Sequence, residues 1–265
     1  MPSTSGSGGG LVKPKRPRQV ITKNQMGWAS EQLNSVSLEF VDFCQTGFCS
    51  QEDSAALDIG AAFGLASIAA LRAGAYVVAN DLDETHMAEL QRRVEADPEL
   101  GPPALERLRT RVARFPRDVW FNNGTLGAVH ASNVFHFLTG NQVERGMRWI
   151  ADWLRPGGKL FIHATTPYQT AFSGFLPEYK RRLAAGDKWP GWVPKLSEYS
   201  MHKKFSQMPR SVHLLDDFIL RREAEAAGLK VERVWLYCRS DYPVNLRLDG
   251  RENVGLVAVK RIASV

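Results

Sequence analysis

The 265-residue chain has little cysteine: Cys44, Cys49 and Cys238 are its only three. An odd number with no paired Cys/His spacing offers no four-ligand zinc site, so no metal is expected and the thiols read as reduced, mostly buried side chains. A nucleophilic cysteine needs a setting that depresses its pKa, and nothing in the sequence around these positions signals one. Long hydrophobic runs are missing too. None approaches the roughly 20 apolar residues of a membrane helix, and the N-terminal segment lacks the apolar centre of a secretory signal. The expected location is cytoplasmic, without a membrane partner. Also absent is the three-glycine phosphate fingerprint. The "GAAFG" of residues 60–64 carries glycine only at its ends, so a pyrophosphate-binding turn and a nicotinamide dinucleotide are disfavoured.

What is present suits a globular enzyme. Hydrophobic residues make up 44% of the chain, enough at this length for a large core in one domain with insertions. The net charge of +6 is concentrated in part in "KPKRPR", Lys13 to Arg18. That run follows "MPSTSGSGGG", a Ser/Gly segment with too little apolar surface to offset the entropy of ordering. Residues 1–22 are therefore expected to be a flexible basic tail and 23–265 the folded domain. A nuclear address, a nucleic-acid arm and a solubilising tail are all open readings of the basic run. The last is favoured, because no second basic cluster is interleaved with stacking aromatics.

The periodicity predicts an amphipathic helix over Trp28 to Phe43, with Leu33, Val36, Phe40 and Phe43 on one face. "AALDIG" reads as a buried strand, "LASIAALRAG" as a helix closed by Gly74, and "AYVVAND" as a second strand: a βαβ unit with parallel strands. "ETHMAELQRRVEAD" is a further helix. Strands follow near Leu108 to Ala113 and before Asn133, then a helix over "NQVERGMRWIADWL" and a strand over Lys159 to Ala164. Alternating strands and helices imply a doubly wound α/β sheet. After Pro167 the alternation stops in an aromatic, proline-punctuated insertion, residues 167–212. A last helix precedes "KVERVWLYC" and "NVGLVAVKR", whose connection is too short for a crossover helix and suits an antiparallel return.

From about Trp28 to Lys260 the chain resembles the class I S-adenosylmethionine-dependent methyltransferases. "ALDIGAAFG" is similar to the first motif of that family and "VVANDLD" to the second; "ASNVFHFL" resembles the segment leaving the fourth strand, and "WLRPGGKLFI" the link into the fifth. The resemblance implies a seven-stranded, mostly parallel sheet with one antiparallel C-terminal strand, an N-terminal helical cap and a lid-like insertion. It implies a Rossmann-like methyltransferase that uses S-adenosylmethionine and releases S-adenosylhomocysteine. It also assigns cofactor contacts to Asp58, Gly60, Ala61, Gly64, Asp81, Leu82, Asp118, Val119 and Asn133. Gly60 and Gly64 would let backbone approach the ligand. Asp58 would orient the loop and the methionine end, and Asp81 would accept from both ribose hydroxyls. Asp83 rivals Asp81 for that role. The residue expected to meet the adenine amino group is not at its usual place after the third strand, and Asp118 is the nearest substitute. Asn133 is equally readable as a strand-terminal turn residue.

A sulfonium carbon is so activated that the protein chiefly aligns the acceptor and excludes water. His136 and Tyr168 are the candidate catalytic residues, His136 as a base toward a hydroxyl or protonated amine, although a histidine between two phenylalanines also suits simple packing. His163 reads as a core or crevice histidine. Trp189, Trp192, Tyr199 and Phe172, with Phe175, suggest a lid over a buried small acceptor, joined from the N-terminal side by Trp28 and Met26. Lys180, Arg181, Arg182, Lys195, Lys203 and Lys204 keep an anionic acceptor or a nucleic acid open, although most of them read as a solvated face. The alternatives are a protein or RNA acceptor engaged by the basic arm and a scaffold that binds cofactor without transferring a methyl group.

Overall fold

A computed structural model describes residues 32–199 and 210–262, with the backbone alone at 20–21 and 28–29. The central sheet comprises β1 (Ala55–Ile59), β2 (Val77–Asp81), β3 (Leu108–Val112), β4 (Leu126–Ser132), β5 (Leu154–Thr165), β6 (Leu229–Tyr237) and β7 (Asn253–Lys260). Its seven strands lie in the order β6-β7-β5-β4-β1-β2-β3. β7 runs antiparallel to both neighbours, whereas the β1–β2, β1–β4, β2–β3 and β4–β5 ladders are parallel. The mixed sheet agrees with the sequence-based expectation.

Among the described residues, α1 (Ser35–Gln45), α2 (Leu65–Arg72), α3 (Glu84–Glu95), α4 (Gly140–Trp153) and α6 (Asp217–Ala226) pack on the sheet, and α5 (Leu176–Ala184) lies in the segment after β5. Alternate residues of the strands divide between two cores, as the two-residue period of a strand requires. On one face Ala56, Val77, Ala79, Ala128, Phe161 and Val257 meet Val36 and Phe40 of α1, Leu71 of α2 and Leu90 of α3. On the other, Leu57, Ile59, Val129, Ala131, Ile162 and Leu256 meet Val143, Met147 and Ile150 of α4 and Leu220 of α6. Burial on both faces explains why β1 and β4 read as continuous apolar runs.

Three expectations change. The first helix begins at Ser35 and not at Trp28, because Asn34 caps it by accepting from the Ser37 amide at 3.0 Å. Trp28–Ala29 instead pair antiparallel with Val20–Ile21, two residues assigned from the sequence to the tail. β5 starts at Leu154, so the Pro-Gly-Gly segment belongs to the strand. Its partner register jumps from Leu126 opposite Leu154 to Ala128 opposite Lys159, which absorbs the extra residues around Gly157.

The segment after β5 builds a third core of its own from Tyr168, Phe172, Phe175, Tyr179, Val193, Leu196, Val212 and Leu214. A short antiparallel ladder, Trp192–Val193 with Val212–His213, ties its ends together. Cys44 and Cys49 are buried and free, and Cys238 is partly buried and free. No described helix is long and apolar enough to cross a membrane.

Candidate functional site

The ends of β1, β2 and β4 and the loops leaving them form the candidate site, in the crevice beyond the carboxyl ends of the strands where open α/β sheets bind ligands. After β1 the chain turns through three left-handed residues, Gly60 at φ 68°, Ala62 at 47° and Gly64 at 79°. Both glycines also face a steric demand. A Cβ on Gly60 would lie 2.4 Å from a Val134 methyl, and one on Gly64 would lie 2.0 Å from Leu90. The space beside these glycines on their Cβ side is filled by Val134 and Leu90. The bend aims the Ala62 amide at Asp81 Oδ2, 2.9 Å away.

Asp81 ends β2 and is 8% exposed. Its Oδ1 accepts from the Asp83 amide at 3.0 Å and pairs with His86 Nδ1 at 3.2 Å. Asp83 is occupied differently. It caps α3, accepting from the amide of Thr85 at 2.9 Å and its hydroxyl at 2.7 Å, and the Thr85 hydroxyl bond is the largest influence lowering its carboxyl pKa. The two rival carboxylates thus have separate tasks, the first facing the glycine loop and the second closing a helix. Leu82 between them is 48% exposed. Ala61 is buried and donates its amide to Asn80 O at 2.9 Å, fixing the loop to β2.

Asp58 does not face this crevice. It is 2% exposed, accepts from Ser67 Oγ of α2 at 2.6 Å, and receives a hydrogen bond from His130 Nδ1 of β4 at 2.7 Å. His130 Nε2 lies 2.9 Å from Ser37 Oγ of α1, and Phe40 stacks on its ring at 4.8 Å. Asn34 joins the same chain by donating to Ser132 Oγ at 3.0 Å. Asp58 thus belongs to a buried network that fixes α1 and α2 to the sheet. No signal in the sequence links Asp58 with His130, 72 positions away.

Two further assignments change. Asp118 is exposed and held by Arg117 at 2.9 and 3.0 Å, a pairing that lowers its carboxyl pKa. Val119 is wholly buried in the α4-side core and offers no surface to a ligand. Asn133 follows β4 with φ 59° and donates its amide to His163 O at 2.9 Å, so it is a strained turn residue at the rim of the crevice.

His136 lies in a short helical turn, Phe135–Phe137. It is 7% exposed, Nδ1 has no hydrogen-bond partner, and burial pushes its pKa down to about 4. His163 is wholly buried, pairs with Tyr237 Oη at 2.7 Å, and is held well below its ordinary pKa by burial first and then by the positive charge of Arg239. Tyr168 is buried beneath Arg251, whose guanidinium lies 3.9 Å from its ring centre, and burial raises its pKa.

Among the expected lid residues, Phe172 is sealed inside the third core and Tyr199 packs edge-on against Phe175 at 5.0 Å. Trp189 and Trp192 flank His213 at 5.1 and 5.7 Å. His213 donates to Leu138 O at 3.0 Å, and Trp189 packs so tightly over Gly140 that a Cβ there would lie 2.2 Å from its indole. These contacts pin the insertion to the turn carrying His136, and the sequence gives no sign of them. Met26, Lys203 and Lys204 lie outside the described residues, as does the side chain of Trp28.

These buried histidines make stability depend on pH. Burial also pushes His213 down to about 4. Unfolded histidines titrate near 6.5, so between pH 7 and 4 the unfolded chain takes up protons that His136, His163 and His213 refuse. Their contribution is complete above about pH 6.5 and is lost progressively as pH falls toward 4. Calorimetry should show a melting temperature that falls steadily over this range, and a smaller fall in His213→Asn. A melting temperature unchanged from pH 7 to 4.5 would contradict the burial of these rings.

Residues 56–158 match the family model for a methyltransferase domain. No curated protein sequence matches the chain. Among solved structures, a S-adenosylmethionine-dependent methyltransferase from Methanosarcina mazei superposes with a TM-score of 0.59 at 13% identity, covering 82% of this chain and 97% of its own. A second, from Mesorhizobium loti, gives 0.56 at 17% identity over 85% and 98% of the two chains. Geranyl diphosphate C-methyltransferase from Streptomyces coelicolor, solved with S-adenosylhomocysteine, gives 0.53 at 13% over 84% and 80%. The family match identifies a methyltransferase domain, and with it an enzyme. Residues 56–158 thus carry a methyltransferase domain, and the sheet order completed at Lys260 gives the chain the fold of S-adenosylmethionine-dependent methyltransferases of known structure.

Proposed function

We propose that the enzyme methylates a small molecule, with the methyl donor seated over the 60–64 loop and the acceptor beneath the aromatic insertion. The carrying observation is the way that insertion, with a core of its own, is fastened over the His136 turn through Trp189 and His213. A fastened cover suits an acceptor that is enclosed, and an enclosed site excludes the water that would compete for the methyl group. The basic residues of the insertion support the same reading. Arg181 and Arg182 are paired with Glu178, and Lys195 with Glu198. Among the described residues of the insertion, these three charges are thus paired within it, which supports a small acceptor over RNA. The unbonded thiols of Cys44 and Cys49 suit the reducing cytoplasm.

The residues present fit the donor. Asp81 would hold the ribose through the capacity left on Oδ2. The loop from Gly60 to Gly64 would lie along the methionine end, and Asn133 at the rim of the crevice would contribute polar atoms. When bound, S-adenosylmethionine would supply a methyl group on a positive sulfur, activated for in-line displacement in which the acceptor–methyl bond forms as the methyl–sulfur bond breaks and the electron pair stays on sulfur. His136 is a neutral imidazole at neutral pH with Nδ1 unpartnered. In the tautomer that carries its proton on Nε2, Nδ1 would accept a hydrogen bond from an acceptor O–H or N–H and so hold its nucleophilic lone pair in line. Tyr168, under Arg251, would contribute to the acceptor wall.

Release of S-adenosylhomocysteine in the presence of phenols, amines and isoprenoid diphosphates, with total RNA and cell protein as parallel acceptors, tests the proposal. Turnover with a small molecule is expected, and turnover confined to RNA or protein would overturn it. With the acceptor found, His136→Ala should lower kcat by about 100-fold or more while calorimetric affinity for S-adenosylhomocysteine stays within about twofold, since the imidazole acts on the acceptor and not on the donor. An unchanged kcat would reduce His136 to a packing residue.

A further inference from the structure

We infer that His86 is a positioning residue for the methyl donor, locking the Asp81 carboxylate in the one orientation that leaves an acceptor site open to the ribose. The inference rests on the reading of Asp81 as the ribose anchor and concerns a residue to which the family motifs assign no part.

Each carboxylate oxygen has two in-plane lone pairs. Asp81 Oδ1 already meets two groups, the Asp83 amide at 3.0 Å and His86 Nδ1 at 3.2 Å. Oδ2 accepts one, the Ala62 amide at 2.9 Å. The remaining capacity is therefore on Oδ2, beside the glycine loop. Turning the carboxylate about its Cβ–Cγ bond would break all three contacts. Two come from backbone on either side of the crevice, and His86 supplies the side-chain member.

The His86 ring is itself well fixed. It is 1% exposed, sits in the first turn of α3, and meets the edge of Phe63 at 5.0 Å. Phe63 in turn carries the Arg93 guanidinium over its face at 5.0 Å. Since an ionised carboxylate only accepts, the contact to Asp81 assigns a proton to Nδ1. Nε2 then has no hydrogen-bond partner and stands 3.8 Å from Asp83 Oδ2. A buried imidazole with an unpartnered nitrogen is a costly choice for filling space, where leucine or phenylalanine would do better. The return on that cost is a directed N–H at Asp81.

This geometry distinguishes between substitutions of similar size. The amide nitrogen of asparagine reaches close to the His Nδ1 position, whereas that of glutamine reaches toward Nε2, and leucine has no donor. Calorimetric titration of the full chain with S-adenosylhomocysteine should find His86→Leu about 10-fold weaker than the parent and His86→Asn within about threefold, with His86→Gln resembling leucine. The melting temperatures of the unliganded variants, measured alongside, separate this order from a loss of structure. If leucine prevents folding, the Asn and Gln pair carries the comparison. Equal affinities for Asn and Gln, or an unchanged affinity in His86→Leu while Asp81→Ala abolishes binding, would overturn the inference and leave the ribose reading intact. Unchanged binding in Asp81→Ala would instead remove the ribose reading, and the inference with it.

Discussion

Asp81→Ala is expected to weaken binding of S-adenosylmethionine and S-adenosylhomocysteine by about 100-fold while the protein stays folded. A ribose hydroxyl donating into the open site on Oδ2 makes a charge-assisted hydrogen bond of about 1.5–3 kcal/mol, which accounts for a loss of up to about 100-fold. The loss should exceed that of the single bond, because the same substitution frees the Ala62 amide and unfastens the 60–64 loop from β2. Asp83→Ala is the control. It removes a helix cap and should cost about 1 kcal/mol of stability with little change in affinity, since Asp83 is engaged with Thr85. Calorimetric titration of both variants decides between the two carboxylates, and equal losses would reject the division of labour described for them.

The second large effect is one of stability. His130→Leu leaves Asp58 buried, with Ser67 as its remaining side-chain partner, and also removes the link to Ser37 and the face on which Phe40 stacks. Breaking a buried hydrogen-bonded charge costs about 3–5 kcal/mol, which in a chain of this size lowers the melting temperature by on the order of 10 °C. Replacing Asp58 by leucine as well should recover more than half of the loss, because no unpaired charge then remains. A single variant that melts within about 2 °C of the parent would show that Asp58 is solvated and free to meet a ligand.

The sheet was legible because its strands are buried on both faces and punctuated by Gly60, Gly64, Gly74 and the Pro156-Gly157-Gly158 segment at the irregular start of β5, so local composition carried the topology. The antiparallel β7 was legible from the short connection before Asn253. Asp83 carried a readable signal too, since an aspartate directly before a helix-forming run, with Thr85 two positions on, reads as a cap. Arg117 beside Asp118 likewise suggested a carboxylate already paired. The network from Asp58 through His130 to Ser37 was not readable, because its members come from three elements and meet only once the sheet is assembled. The helix start at Ser35 was misplaced because apolar spacing continues upstream of Asn34, and capping overrides periodicity at a helix end. The hold of Trp189 on Gly140 was invisible for another reason: a glycine opening a helix reads as ordinary punctuation, and only the packed indole shows why nothing larger fits.

That hold also bears on traffic through the site. Trp189 and His213 grip α4 at its first residue, beside the Leu138 carbonyl, within two to four positions of His136. On the proposed reading, an acceptor that needs the insertion displaced would enter only by loosening the turn that carries His136. The same contacts would then govern both entry and the position of the imidazole.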